Sequence, residues 1–211
     1  MKGKMIIALL PVALIVFVVL IILAIILLCG CSVKEKVTVD EKGNVSEQVI
    51  IPLAVYIADE NELQSYSKIV VSPYQKALDT RKYTYETEYS KKNSKVIFKN
   101  NFDSVCDYIE DTIFSQYLYK QISCSESDDY IIVKNKTEHI DYCLDCIDWP
   151  RLDKVSFELT LPFKLDDHNA DEENGNTYIW KYNKNSTATK GIYFRISKDD
   201  MKASLEKYNA N

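Results

Sequence analysis

Glycine and histidine are scarce in this chain of 211 residues, which contains five glycines and two histidines. No glycine falls in a G-x-G-x-x-G, P-loop or G-x-S-x-G pattern, so these nucleotide-binding loops and the nucleophile elbow of serine hydrolases are excluded. Glu86 and Glu88 would lie on one face of a strand, where two carboxylates are far more often solvated than catalytic. We therefore predict that the protein is not an enzyme and needs no cofactor.

Clusters of basic residues are also missing. Lys2 and Lys4 account for two of the 26 basic residues, so the chain after Cys31 carries 24 basic and 31 acidic residues, a formal charge of −7. A surface that binds phosphates needs clustered lysine and arginine. We therefore predict no nucleic-acid partner. The 15 tyrosines and the few glycines favour a packed domain over disorder.

What the sequence does have is a long hydrophobic run. Met5 to Leu28 contains no charged residue, and a helix of this length measures about 36 Å, against about 30 Å for the hydrocarbon core of a bilayer. Lys2 and Lys4 precede the run, which predicts a cytoplasmic N-terminus. We therefore expect the protein to be anchored at the cell membrane, with its folded part on the extracytoplasmic side.

The end of this run resembles a second kind of anchor. Leu28-Cys29-Gly30-Cys31 resembles the lipobox of bacterial lipoprotein signal peptides. In a lipobox, a small residue precedes the cysteine that is acylated, and the signal peptide is cleaved off before that cysteine. The resemblance implies that residues 1–31 contain a signal peptide and that Cys31 carries the lipid. The alternative is an uncleaved signal anchor, because the apolar run exceeds the 7–15 residues typical of a cleaved signal.

Hydrophobic periodicity predicts the fold of the exported part. Val37 and Val39 alternate with polar neighbours, and the alternation of Val45, Glu47, Val49 and Ile51 after a turn predicts the second strand of a hairpin. Asp59 and Glu62 have the spacing of a capping box at the start of a helix. About eight strands and two principal helices predict an α+β domain over residues 32–197, a mostly antiparallel sheet of hairpins with both helices on one face. The N-terminal hydrophobic helix precedes it, and residues 198–211 form a tail that could be helical.

The predicted second helix carries its apolar residues on one face at helical spacing. These residues are Val105, Tyr108, Ile109, Ile113 and Tyr117.

Four cysteines lie in the exported part: Cys106, Cys124, Cys143 and Cys146. Structural disulfides are the expected use of an even number of cysteines outside the cytoplasm. We predict that Cys106 and Cys124 each bond one member of the C-x-x-C pair, which would join the second helix and the following strand to the long loop. A redox motif or a metal site at Cys143 and Cys146 is the alternative, although its flanks are acidic and a zinc ribbon needs a second such pair.

We predict no metal site elsewhere. The acidic run around His168 resembles an EF-hand loop, but its first position falls on Ala170, where a carboxylate is needed.

The C-terminal half contains a second resemblance. The segment VSFELTLPFKLDDHNADEENGNTYIWKYN combines a strand ending at Pro162, an Asn169-Ala170 pair and a Tyr178-x-Trp180 strand. Together with KVTVDEKGNV directly after the lipobox, it resembles the LppM-like domain of bacterial lipoproteins. This resemblance implies an α+β domain that is attached to a membrane, binds lipid or glycolipid ligands and has no established activity.

We therefore predict a membrane-anchored binding or interaction lipoprotein. Its lipid-like or protein ligand would enter between the helices and the aromatic-rich sheet, where Tyr83, Tyr85 and Tyr89 are candidate contacts. The alternatives are a structural or assembly component of the cell envelope, and a metal or redox protein that uses Cys143 and Cys146.

Overall fold

The computed structural model describes residues 31–53, 56–112, 122–135, 152–183 and 191–210. These residues contain eleven β-strands and four α-helices. The strands are β1 (Cys31–Val39), β2 (Val45–Pro52), β3 (Thr84–Glu88), β4 (Lys95–Phe102), β5 (Ile122–Glu126), β6 (Tyr130–Asn135), β7 (Leu152–Thr160), β8 (Asp167–His168), β9 (Glu172–Asn174), β10 (Thr177–Asn183) and β11 (Tyr193–Ser197). The helices are α1 (Glu60–Val71), α2 (Gln75–Arg81), α3 (Val105–Asp111) and α4 (Lys198–Asn209), with a 3₁₀ turn at Ser72–Tyr74.

The predicted α+β class is confirmed, but the strands form two sheets. The large sheet has the order β3-β4-β2-β1-β7-β10-β9, and the small sheet has the order β5-β6-β11-β8. The sheets are mostly antiparallel, as predicted, because hairpin connections bring successive strands together. The pairing of β1 with β7 is parallel, and nothing in the sequence pattern indicated it.

The predicted N-terminal hydrophobic helix over Met5–Leu28 lies outside the described residues. None of the helices within the described ranges combines the length and the hydropathy required to cross a bilayer.

Strand alternation determines which face of the large sheet is buried. In β2, the side chains of Val45, Glu47, Val49 and Ile51 point to the core, and the residues between them are more exposed. The hairpin turn between β1 and β2 places Gly43 at a φ of 86°, a conformation that glycine adopts without steric cost. The outer face carries ion pairs, including Glu86 with Lys99 at 2.7 Å.

Local capping explains where α1, α3 and α4 begin. The Asp59 carboxylate accepts a hydrogen bond from the backbone N–H of Glu62 at 2.9 Å, as predicted for α1. Ser104 caps α3 in the same way, and Ser197 caps α4. The predicted continuation of the second helix to Ile113 and Tyr117 lies outside the described residues.

Helical and 3₁₀ segments cover the inner face of the large sheet. The ring of Tyr74 packs edge-on against Phe98 at 5.5 Å between centroids, and Tyr108 of α3 packs against Phe102 at the same distance. Trp180 is fully buried between Phe157 and Phe194. Because Phe194 belongs to the small sheet, Trp180 joins the two sheets into one core.

Candidate functional site

The candidate lipidation residue, Cys31, is the first residue of β1. Its Cα lies in register with Leu152 at the start of β7, so the folded sheet begins at this cysteine. The leader, including Cys29, lies outside the described residues. Acylation of Cys31 therefore stays a prediction.

The described disulfide links Cys106 to Cys124, with 5.2 Å between their Cα atoms. The prediction that each of them pairs with a member of the C-x-x-C motif is therefore wrong. Cys106 lies in the first turn of α3, which packs beside β5, the strand that carries Cys124. The bond closes locally between neighbouring elements. Cys143 and Cys146 lie outside the described residues.

The three candidate tyrosines occupy different environments. Tyr83 is buried, whereas Tyr85 is 43% exposed and Tyr89 is 37% exposed. The Tyr89 hydroxyl donates a hydrogen bond to the carbonyl of Ala58 at 2.7 Å. The structure therefore assigns Tyr83 to the interior and leaves the other two rings at the surface.

Tyr83 belongs to a group of five buried polar side chains, which we call the carboxyl cluster. Two glutamates from the β1–β2 hairpin form its centre, and both are 0% exposed. One hydroxyl comes from the residue before β3, one comes from the middle of α3 and one comes from the residue that follows α3. The members are Glu35, Glu47, Tyr83, Tyr108 and Thr112.

The register of β1 with β2 places the two glutamates on the same face of the sheet. Val37 lies opposite Glu47, and Glu35 lies opposite Val49, so the carboxyl groups are diagonal neighbours on the buried face. The two groups are close enough for the charge of Glu35 to raise the pKa of Glu47.

Hydroxyl groups donate hydrogen bonds to three carboxyl oxygens of the pair. Thr112 donates from Oγ1 to Oε1 of Glu47 at 2.7 Å, and the Tyr83 hydroxyl donates to Oε2 of the same residue. The Tyr108 hydroxyl donates to Oε1 of Glu35 at 2.5 Å. These three O–H donors stabilise negative charge on the two carboxyl groups.

Burial raises the pKa of Glu47 well above its ordinary value of 4.5, and the charge of Glu35 and the hydrogen bond to it raise it further. The hydrogen bonds from Tyr83 and Thr112 stabilise the anion and offset part of this increase in the pKa. Ser67 and Ser94 are the other buried polar residues among those whose burial is described.

Sequence reasoning missed this cluster, although one signal was present. Glu47 takes an inward-facing position in β2, where the other inward-facing residues are apolar. Glu35 takes an inward-facing position in β1, two residues before the apolar Val37. A glutamate in the apolar phase of a strand indicates either a surface or a buried carboxyl group with partners.

The acidic run around His168 is built into strands. The His168 ring packs edge-on against Tyr178 at 4.6 Å, and its Nδ1 accepts a hydrogen bond from the N–H of Ala170 at 3.2 Å. Gly175 makes the turn between β9 and β10 at a φ of 63°. Across the described ranges, no group of three or more histidine, cysteine or acidic side chains is arranged to hold a metal ion.

Comparisons with known proteins give one similar structure. No family model matches the chain, and no curated protein matches it significantly. The chain is similar to the folded domain of LppM from Mycobacterium tuberculosis, determined by NMR, with 11% sequence identity and a TM-score of 0.47. The match covers 79% of this chain and 89% of that domain. The similarity is weak.

Proposed function

We propose that the protein is a lipoprotein, acylated at Cys31, whose folded part binds other molecules on the extracytoplasmic side of a membrane and catalyses no reaction. The observation that carries the proposal is the coincidence of two boundaries. The lipobox-like Leu28-Cys29-Gly30-Cys31 ends at the residue where β1 begins. Cleavage there would remove the leader and leave the folded sheet attached directly to its lipid.

The disulfide supports an extracytoplasmic location. Disulfides persist in oxidising compartments and are rare in the cytosol. Cys106 and Cys124 are both only partly buried, so a reducing environment would reach them.

The strand order indicates which end of the sheet would face the bilayer. β1 starts at Cys31, and the antiparallel β2 ends at Pro52, which lies opposite Lys95 at the start of β4. Tyr89, in the turn before β4, therefore lies at this same end, and Tyr56 lies near it. Both rings are exposed, Tyr56 by 65%, and tyrosine is enriched at membrane interfaces. These surface rings are the side chains that we expect to contact lipid headgroups.

Mass spectrometry of the full chain purified from membranes tests the anchor. The wild-type N-terminal peptide should begin at Cys31 and carry a diacylglycerol group. Cys31→Ser should abolish both the cleavage before residue 31 and the acylation. Cys29→Ser is the matched control, because it alters the neighbouring cysteine and should leave acylation intact. Finding the leader still attached to an unmodified Cys31 would contradict the proposal.

The same preparation tests the class of ligand. Native mass spectrometry of the wild-type chain should show a lipid that is bound in addition to the covalent acyl groups. A protein partner in place of a lipid would favour the assembly role, for which Ile69 on α1, 68% exposed, is a suitable contact residue.

A metal or redox role for Cys143 and Cys146 is the second candidate. One observation favours it: the Cys106–Cys124 bond uses both cysteines that would otherwise pair with them in the exported part. Thiol counting on the denatured, non-reduced protein distinguishes the cases. Two free thiols would favour metal binding or reversible redox chemistry, and none would favour a second structural disulfide.

A further inference from the structure

The row of the large sheet that contains Cys31 can be followed across the neighbouring strands. The antiparallel register of β1 with β2, when it is continued, places Cys31 beside Leu53. The backbone N–H of Leu53 donates to the carbonyl of Ser94, just before β4, at 2.8 Å. The register of β4 with β3 then places Ser94 beside Tyr89. Cys31 and Tyr89 therefore lie in one row of the sheet, three strand spacings or roughly 14 Å apart.

The turn between β3 and β4 extends beyond this row. Its residues 90–93, which we call the anchor-side turn, follow Tyr89 and precede Ser94. The buried hydroxyl of Ser94 accepts a hydrogen bond from the N–H of Ser90 at 3.0 Å and donates one to the Ser90 carbonyl at 2.6 Å. The N–H of Asn93 donates to the same carbonyl at 3.2 Å. These bonds hold the anchor-side turn in one conformation, past the row of Cys31.

The anchor-side turn is basic. Lys91 and Lys92 form its tip, and both are exposed. Within the described ranges, neither lysine forms an ion pair, whereas Lys95 on the adjoining strand pairs with Glu88 at 2.7 Å. The two lysines therefore present unneutralised positive charge at the end of the sheet where Cys31 lies.

The hairpin turn at the opposite end of the sheet has the other sign of charge. The turn between β1 and β2 contains Asp40, Glu41 and Lys42, a net charge of −1, against +2 for the two lysines of the anchor-side turn. The concentration of positive charge is therefore specific to the end that carries Cys31.

The acidic residues near Tyr89 lie at the start of α1. Asp59 accepts the N–H of Glu62 at 2.9 Å, and Oε2 of Glu62 accepts the N–H of Ala58 at 2.6 Å. Both carboxylates therefore bind the positive end of the helix. Glu60 is the remaining acidic residue of this helical turn and is exposed. Asp59 and Glu62 serve the helix, and the charge at the tip of the anchor-side turn remains that of its lysines.

We propose, on the basis of the proposed attachment at Cys31, that the anchor-side turn docks on the surface of the same membrane, where Lys91 and Lys92 bind the phosphate groups of anionic lipids. A membrane that holds Cys31 meets this turn, because the turn extends past the row of Cys31. The exposed ring of Tyr89 adjoins the lysines, and tyrosine suits the headgroup region. Two contacts roughly 14 Å apart would stop the domain from pivoting freely on its lipid.

The contribution of each lysine follows from the surface potential of an anionic bilayer. One lysine near such a surface strengthens the contact by about fivefold, and the pair by about 25-fold. The attraction is screened over about 8 Å at physiological ionic strength and over about 3 Å at 1 M salt. High salt should therefore weaken the contact.

Lysine acetylation of the full chain in lipid nanodiscs tests the docking, with labelling rates measured by mass spectrometry of peptides. Nanodiscs of phosphatidylcholine alone are compared with nanodiscs that also contain phosphatidylglycerol. Lys91 and Lys92 should be acetylated several-fold more slowly on the anionic lipid, and about 1 M salt should remove the difference. Lys42 is the internal control, because it lies beyond the end of β1, roughly 27 Å from Cys31. Equal rates for Lys91 and Lys92 on the two lipids would overturn the proposal.

Single substitutions identify the contribution of each lysine. In Lys91→Gln, acetylation of Lys92 on the anionic lipid should accelerate by up to about fivefold, and Lys92→Gln should have the same effect on Lys91. Lys42→Gln is the matched control and should leave both rates unchanged. All three positions are exposed, so the variants should fold. If neither substitution accelerated labelling of the other lysine, the turn would not bind the lipid through these charges.

Two further readings of the same samples separate the possible failures. Glycerol phosphate added to phosphatidylcholine nanodiscs should not slow the labelling of Lys91 and Lys92; slowing would identify a site for free phosphate and contradict docking on the bilayer. The N-terminal peptide reports whether Cys31 is acylated. An acylated Cys31 with unprotected lysines would refute the docking alone, whereas an unmodified Cys31 with protected lysines would refute only the proposed lipid anchor.

Discussion

Asn169 provides a direct test of how the two sheets are held together. Its side-chain oxygen accepts hydrogen bonds from Nε1 of Trp180 at 2.7 Å and from the backbone N–H of Tyr193 at 2.9 Å. Its amide nitrogen donates to the carbonyl of Gly191 at 2.7 Å. Trp180 belongs to the large sheet and Tyr193 to the small one, so Asn169→Ala removes three bonds that connect them.

The expected cost can be worked from these contacts. Each hydrogen bond contributes about 1 kcal/mol net, which gives about 3 kcal/mol for the three. The Trp180 ring is fully buried, so its N–H would lose its acceptor without reaching water, which adds about 1 kcal/mol. We therefore expect Asn169→Ala to lower the free energy of unfolding by about 4 kcal/mol, a large part of the roughly 5–15 kcal/mol available to a typical domain.

Urea unfolding of the full chain in detergent, followed by tryptophan fluorescence, measures this change. Asn101→Ala is the control, because Asn101 is exposed on β4, and it should cost less than about 0.5 kcal/mol. Combining Asn169→Ala with Trp180→Phe gives a double-mutant cycle that isolates the indole bond. If Asn169→Ala unfolded within about 1 kcal/mol of the wild type, the three bonds would not be holding the sheets together and the reasoning would fail.

Three further changes are predicted for the same urea assay. Replacing both Cys106 and Cys124 by serine should cost about 3 kcal/mol, because the bond closes a sequence separation of 18 residues; an unchanged midpoint would mean that the bond does not form. Gly43→Ala and Gly175→Ala should each cost about 1 kcal/mol, because both glycines have a positive φ, 86° and 63°, and the added methyl group meets no atom closer than ordinary van der Waals contact at either position. Lys82→Gly should be neutral or stabilising by up to about 1 kcal/mol, because Lys82 has a φ of 58°; clear destabilisation would contradict that backbone assignment.

The features that the sequence predicts well are those with a local cause. β2 and β7 follow from alternation, and α1 follows from Asp59 and Glu62 at its start. Each of these signals is contained within about ten residues, so no knowledge of the rest of the chain is required. The α+β class and the dominance of hairpins follow from them directly.

The features that the sequence does not predict depend on distant partners. Alternation shows that β1 is a strand but not that it pairs in parallel with β7, which lies more than a hundred residues later in the chain. The disulfide was misassigned for the same reason. The choice between Cys124 and the C-x-x-C cysteines depends on α3 packing beside β5, and the spacing of cysteines carries no information about that contact.

The carboxyl cluster combines a local signal with a non-local one. Alternation places Glu47 on the inner face, and helical periodicity places Tyr108 on the buried face of α3, so each position could be predicted alone. The contact between these side chains could not be predicted, because it requires β1, β2, α3 and the entry of β3 to be in place first. Two apolar side chains would fill the same strand positions without the cost of burying carboxyl groups. Apolar contacts have little directional preference, whereas the hydroxyl–carboxyl bonds specify one position of α3 on the sheet. The hydrogen bonds to the buried glutamates therefore define where α3 docks on the sheet.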